Sequence, residues 1–286
     1  MLYMDGKAQY TIQKGVGNMG ELFTVEYAKR SRPLSMKTDH FHSEYEIYFL
    51  VSGSVEYFID GGLYLLTAGS FALIAPGVLH RTLKGSGAHE RMLIMLDPQF
   101  LAAFLELEAG LFDCFDRLSV FTPPKPERYV TLLNQLYREY RSGKPSDVLL
   151  RSYTAQLLVL LGREPAAAPY GAHTADDVQT HRILEAVAYI NEHYAEEIDR
   201  DLLCSRVFVS PSHFSRLFKQ VTGFTYVEYL GTVRLKNAAH LLAQEGMNVT
   251  AIASACGFSS SNHFCKKFKA VMGISPLQYQ KKHRNK

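Results

Sequence analysis

Two groups of residues in this chain have the types and spacing to do chemistry. The first lies in HFHSEYEIYFLVSG, where His40, His42 and Glu46 are spaced H-x-H-x3-E. On a strand alternate residues share a face, so His40 and His42 point the same way. Imidazole and carboxylate together suit zinc, iron, manganese or nickel. The second group is written twice. Ser210 to Tyr229 reads SPSHFSRLFKQVTGFTYVEY, and Ser260 to Tyr279 reads SSNHFCKKFKAVMGISPLQY. At an offset of 50 the two share 8 of 20 positions, including Phe214/Phe264, Phe218/Phe268 and Gly223/Gly273. Upstream the offset becomes 49. The polar positions are Ser212, Ser215, Arg216 and Lys219, then Asn262, His263, Lys266 and Lys269. Such groups reach base edges and phosphates in a major groove.

The elements that hold these residues follow from pattern. In each copy a serine, Ser210 or Ser260, stands at a helix N-cap, and Pro211 fits the first helical position. Phe214, Leu217, Phe218 and Val221 fall at i, i+3, i+4 and i+7, one buried helical face. Gly223 and Gly273 suit a left-handed stop. A short helix precedes each copy, Asp199 to Val207 and Thr250 to Cys256, so the segment predicts two helix-turn-helix units. A helix from about Thr225 to Gln244 joins them. By contrast, residues 20–96 show short aromatic and β-branched runs broken by Gly53, Gly61-Gly62, Gly69 and Pro76-Gly77, the punctuation of a compact β unit. From Pro98 to Arg163 the texture turns helical, notably over Glu127 to Arg141 and Ser146 to Leu161. The Pro/Ala/Gly stretch from Glu164 reads as a linker.

Charge separates the halves. Of the 286 residues, the last 85 hold 12 Lys and Arg against only Glu228 and Glu245. Residues 1–201 hold 19 basic and 26 acidic residues. The overall +3 is therefore a basic helical segment on an acidic remainder, the footprint of nucleic-acid binding. The composition excludes a disordered or fibrous chain. No stretch reads as a secretory signal or a membrane span. Cys114, Cys204, Cys256 and Cys265 form no C-x-x-C pair, which disfavours a zinc ribbon and fits a reducing cytoplasm.

SPSHFSRLFKQVTG, RLKNAAHLL and VTAIASACGFSSSNHFCKKFKAVMGISPLQYQKKHR together resemble the DNA-binding domain of the AraC family of bacterial transcription regulators. The resemblance covers residues 178–284. It implies two recognition helices entering successive major grooves about one turn apart. It places Ser212, Ser215 and Arg216 at base-contacting positions in the first unit, and Asn262, His263 and Lys266 in the second. Ser210, Ser260, His213, Lys219 and Lys269 join the expected DNA face, with His213 and His263 open to packing as well. Arg234, in an Arg-Leu pair, is expected at a phosphate or an intramolecular partner.

The H-x-H-x3-E run with GSFALIAPGVLH resembles a cupin, the small double-stranded β barrel that often precedes this DNA-binding domain. In metal cupins the set carried over here would be His40, His42, Glu46 and His80. In this regulator family such a barrel more often holds a small organic effector, commonly a sugar, with His40, His42, Glu46, Tyr48, His80 and Arg81 as its contacts. Tyr45, Tyr57 and Tyr64 are further candidates for the pocket. The expected fold is α+β: a cupin-like effector-binding barrel over residues 1–97, a helical arm that dimerises over 98–163, a linker over 164–177, and an all-α DNA-binding domain over 178–286. The expected protein is a cytoplasmic, non-enzymatic homodimer that binds double-stranded DNA and a small effector, contacts RNA polymerase and touches no membrane. A divalent metal in the barrel stays open as a cofactor. The rival readings are a metal-dependent cupin enzyme with a DNA-binding appendage and an effector-independent DNA binder.

Overall fold

The computed structural model describes residues 22–30, 42, 44–83, 88–108, 110–117, 119–165, 178–244 and 246–284. His40 and linker residues 166–177 lie outside the described residues.

Among the described residues, eight strands form two antiparallel sheets. They are β1 (Phe23–Arg30), β2 (Tyr45–Ser52), β3 (Ser54–Ile59), β4 (Gly62–Thr67), β5 (Phe71–Ile74), β6 (His80–Thr82), β7 (His89–Leu96) and β8 (Val120–Phe121). The larger sheet runs β1-β7-β2-β5-β8 and the smaller β4-β3-β6. β2 is buried on both faces, which its YEIYFLVS sequence makes possible. Ile47 and Phe49 face one apolar cluster, shared with the arm helices, and Tyr48 and Leu50 face another between the sheets. Glu46 shares the inner face with Tyr48, because side chains alternate along a strand. The β3–β4 hairpin turns through Asp60 and Gly61, with φ of +45° and +92°. A two-residue hairpin loop whose twist matches the strands needs positive φ at both positions, which Asp-Gly supplies.

The arm holds α1 (Glu127–Tyr140) and α2 (Asp147–Gly162). Tyr129, Leu132, Leu133 and Leu136 of α1 meet Leu150, Leu157, Leu158 and Leu161 of α2 in the core that also backs the larger sheet. The Ser146 hydroxyl accepts from the Leu149 amide and starts α2. One element departs from the sequence expectation. Within the stretch read as helical, Val120 and Phe121 form the edge strand β8 on β5, and Phe121 stacks on Phe71 at 5.6 Å. Burial of two β-formers there outweighs the helical texture around them.

The C-terminal part is α3 (Val178–His193), α4 (Arg200–Val207), α5 (Pro211–Thr222), α6 (Tyr226–Ala243), α7 (Val249–Ala255), α8 (Ser261–Met272) and α9 (Pro276–Arg284). Most of the starts are capped by the side chain that the sequence places there. Asp199 caps α4, Thr225 and Glu228 form a reciprocal capping box on α6, and Asn248 caps α7. Ser260 accepts from the His263 amide, whereas the Ser210 side chain makes no capping bond. Gly223 and Gly273 close α5 and α8 with φ of +83° and +74°. Two cores result. One surrounds Phe214, Phe218 and Tyr229, and the other surrounds Phe264, Phe268 and Leu242.

The repeat exposes one strained residue. In the second unit the turn after α7 is made by Gly257, φ +75°. The equivalent residue in the first unit is Phe208, φ +53°, with its side chain 82% exposed. A left-handed backbone costs a side-chain-bearing residue roughly 1–2 kcal/mol. Glycine gives back about 0.5–1 kcal/mol of that through its freer unfolded chain. Phe208→Gly is therefore expected to stabilise the protein by about 0.5–1 kcal/mol in urea denaturation. A measured loss of stability would show that the exposed ring packs after all.

Candidate functional site

Two sites emerge. The first is a buried cluster inside the barrel. Glu46 on β2 and His80 on β6 are almost fully buried, and His42 lies just before β2 at the cluster edge. The Glu46 carboxylate oxygen Oε2 lies 3.1 Å from His42 Nε2 and 3.3 Å from His80 Nε2. Its other oxygen accepts from the Tyr57 hydroxyl at 2.9 Å. The ligand atoms of His42, Glu46 and His80 all fall within 4.8 Å of one another. Tyr48 packs on Tyr57 with ring centroids 5.1 Å apart, and the Arg91 guanidinium lies 5.6 Å from the Tyr48 ring.

Hydrogen-bond accounting constrains this cluster. His42 Nδ1 donates to the Glu44 carbonyl at 2.9 Å, and His80 Nδ1 donates to the Val78 carbonyl at 2.8 Å. A carbonyl only accepts, so both Nδ1 atoms carry their protons. In a neutral ring Nε2 is then a lone pair, yet both Nε2 atoms face the same carboxylate. The arrangement calls for a positive charge, either a further proton on an imidazole or a cation among the three groups. Burial pushes the Glu46 carboxyl up, but the His80 charge and the His42 and His80 hydrogen bonds outweigh it and hold it well below the usual range. Burial likewise opposes charge on His42, and the hydrogen bond and charge of Glu46 outweigh it, raising its pKa. Burial and the neighbouring Glu46 push the Tyr57 hydroxyl well above its ordinary value.

The second site is the open face of α5 and α8. Ser212, Ser215, Arg216 and Lys219 are exposed on α5, with His213 half-buried. Asn262, His263, Lys266 and Lys269 are exposed on α8, and Ser210 and Ser260 are exposed at the two helix starts. Phe214 and Phe264, both buried, anchor these helices from below. The residues expected at DNA therefore lie together on solvent-facing helix surfaces, with two corrections elsewhere.

Arg234 turns inward. Its Nε donates to the Tyr194 carbonyl and its Nη2 to the Glu196 carbonyl, both at 2.7 Å. It ties the end of α3 to α6, the intramolecular half of the two expectations. Arg81, expected in the effector pocket, faces away from it. Its Nη1 donates to the Gly223 carbonyl, and its guanidinium lies 5.5 Å from the Phe224 ring. The physical reason is strand alternation: with His80 turned inward, the next residue must turn outward.

That outward contact belongs to a set that sequence reading missed. Lys236 Nζ meets Asp60 Oδ1 at 2.8 Å, and Phe58 lies edge-on to Tyr229 at 6.0 Å. Phe58, Leu63, Leu79 and Leu83 share one buried cluster with the first helix-turn-helix unit. The only sequence signal was the Asp60-Gly61 turn, which says that a hairpin exists and nothing about what its tip touches.

Comparison with known proteins adds two family-model matches, curated relatives and a solved structure. Residues 25–158 match the family model of an AraC-like ligand binding domain, and residues 203–282 match that of a helix-turn-helix domain. The chain is 26% identical over 249 residues to the HTH-type transcriptional activator RhaS of Escherichia fergusonii, covering 84% of this chain and 86% of that one. It is 27% identical over 245 residues to RhaS of Escherichia coli, covering 83% and 85%. Among solved structures, ToxT from Vibrio cholerae aligns over 92% of this chain and 98% of its own, at 13% identity and a TM-score of 0.38.

Proposed function

The chain belongs to the AraC family of transcription regulators, a DNA-binding helix-turn-helix domain behind a ligand-binding domain, and from that premise we propose which residues read DNA and which sense the effector. DNA is read by Ser212, Ser215 and Arg216 of α5 and by Asn262, His263 and Lys266 of α8. Ser210, His213, Lys219, Ser260 and Lys269 support them at the backbone. The effector sits in the barrel on Glu46, His42, His80 and Tyr48, with Tyr57 and Arg91 beside them. The observation that carries this is the charged cluster around Glu46, buried in a barrel that packs directly on the first DNA-reading unit. Carboxylate, imidazole, phenol and guanidinium are hydrogen-bonding groups for a small polar molecule, a sugar among them. The chain acts without catalysis, in the cytoplasm, and no helix among the described residues is long and apolar enough to cross a membrane. Val148 and Leu149, exposed on α2, support an arm that pairs with a second copy. The RhaS relatives are transcriptional activators by name, and activation is the output proposed for this chain, with RNA polymerase as the proposed partner.

The test is on DNA and on ligand. Arg216→Ala or Lys266→Ala should relax base preference in one half of a selected duplex and cost about 1–3 kcal/mol of binding. Equal loss on selected and random duplexes would contradict base reading. In a thermal-shift screen over sugars and other metabolites, a hit should stabilise the native chain and fail to stabilise Glu46→Gln. A hit unaffected by that substitution would place the effector elsewhere.

One observation favours a second reading, a divalent metal in the cluster. Two imidazoles and a carboxylate converge with their Nδ1 atoms already tied to carbonyls, the orienting bonds that metal-binding histidines use. His42, Glu46 and His80 would hold the ion, and it would supply a Lewis-acidic anchor for effector oxygens. Elemental analysis of purified protein, with His42→Ala as control, decides between the readings: one equivalent of metal lost in the variant supports this one.

A further inference from the structure

Strand β6 is three residues long, and its alternation sends neighbours to different domains. His80 reaches Glu46 inside the barrel, while Arg81 reaches the carbonyl of Gly223 and the ring of Phe224. Gly223 is the left-handed stop of α5, the first recognition helix. A Cβ built there would fall 2.4 Å from Arg81 Cδ, so the arginine lies directly on the cap. The repeat supplies an internal control: at the equivalent Gly273 a Cβ would meet nothing among the described residues within 4 Å. The buried contacts share the asymmetry: Phe58 meets Phe224 beside the first unit, and a Cβ on Gly61 would touch Asn191 and Val187 of α3, while the surface pair of Asp60 with Lys236 lies on the joining helix. The core of the second unit contains no barrel residue among those described.

We propose that Arg81 is a positioning residue that couples the Glu46 cluster to the first helix-turn-helix unit, and to that unit alone. The proposal rests on the reading of that cluster as the effector site. One planar peptide joins His80 to Arg81, so a ligand that moves His80 re-aims the guanidinium on the α5 cap. The docked arrangement leaves Ser212, Arg216 and Lys219 exposed, so the contact does not cover the reading face. It fixes where that face stands relative to the barrel. A ligand with different affinity for the docked and released arrangements shifts the balance between them, and DNA then feels the ligand by linkage.

Hydrogen exchange followed by mass spectrometry on the full chain tests this without a known effector. Arg81→Ala should speed exchange of the amides from 219 to 226 at least tenfold and leave those from 269 to 275 unchanged. Arg81→Lys, which keeps the charge and loses the planar fork, should fall between. Glu46→Gln should speed the 219–226 amides severalfold in the native background and add nothing in Arg81→Ala. If Glu46→Gln unfolds the barrel, seen as exchange throughout β2 and β7, His42→Gln at the cluster edge replaces it. Cap amides indifferent to Arg81→Ala, or cluster and arginine effects that simply add, would overturn the coupling. A ligand screen without hits, while the cap still responds to the cluster, would count against the effector reading and leave the coupling standing.

Discussion

Glu46→Ala should cost about 3–5 kcal/mol of stability, the range seen when one partner of a buried ion pair is removed. The loss is large because one carboxylate serves three groups: His42 and His80 share one oxygen, and Tyr57 donates to the other. Deleting it leaves buried polar atoms without their partner in a site that water does not easily reach. Against a total of roughly 5–15 kcal/mol for a domain, that is a considerable fraction. Urea denaturation reads it, and a loss under about 1 kcal/mol would mean that the barrel relaxes around the gap. The pH dependence gives a second readout. Glu46 is held below its ordinary 4.5, so its contribution is full above that value and is lost as pH falls through the lowered one. His42 is raised above its ordinary 6.5, so its contribution is full below that value and is lost as pH rises through the raised one. The cluster therefore stabilises most between about pH 4.5 and 6.5, and Glu46→Ala should flatten the native pH profile.

Phe214→Ala and Phe264→Ala should each cost about 3–5 kcal/mol, since both rings are fully buried and nothing nearby can refill the space. Phe214 packs on Phe218 at 5.4 Å, and Phe264 on Phe268 at the same distance. The costs are alike, and the consequences are not. Phe214 sits in the cluster that also holds Phe58, Leu79 and Leu83, so its loss should loosen the barrel from the DNA-binding domain as well. Phe264 sits in a cluster without barrel residues among those described, so its loss should spare that contact. Proteolysis, or hydrogen exchange at β3 and β6, separates the two. Equal loosening by both substitutions would refute the division into two cores.

Much of this was legible in the sequence, for identifiable reasons. The offset of 50 between Phe214 and Phe264 fixed two copies of one unit, because helical spacing and capping residues are local signals. His42, Glu46 and His80 do converge, whereas His40 lies outside the described residues. Arg81 could have been excluded from the pocket by period alone, since adjacent strand residues cannot both face inward. The edge strand at Val120 was invisible, because two residues carry no alternation to detect. The pairing of Asp60 with Lys236, 176 residues apart, was beyond reach for a different reason. Each is an ordinary exposed charge in its own surroundings, and nothing local marks which distant surface it will meet.

The joining helix α6 has one more implication. Tyr229, Leu230 and Val233 go into one core, and Leu235, Ala238 and Leu242 into the other, with Tyr194 packed at the edge of both. The rod is thus a common wall of two rooms. When either room opens, the wall loses half its packing, and the neighbour weakens with it. Two hydrophobic cores in this arrangement are coupled through one helix, so a stabilising substitution in one unit passes part of its gain to the other, while the barrel contact stays with the first.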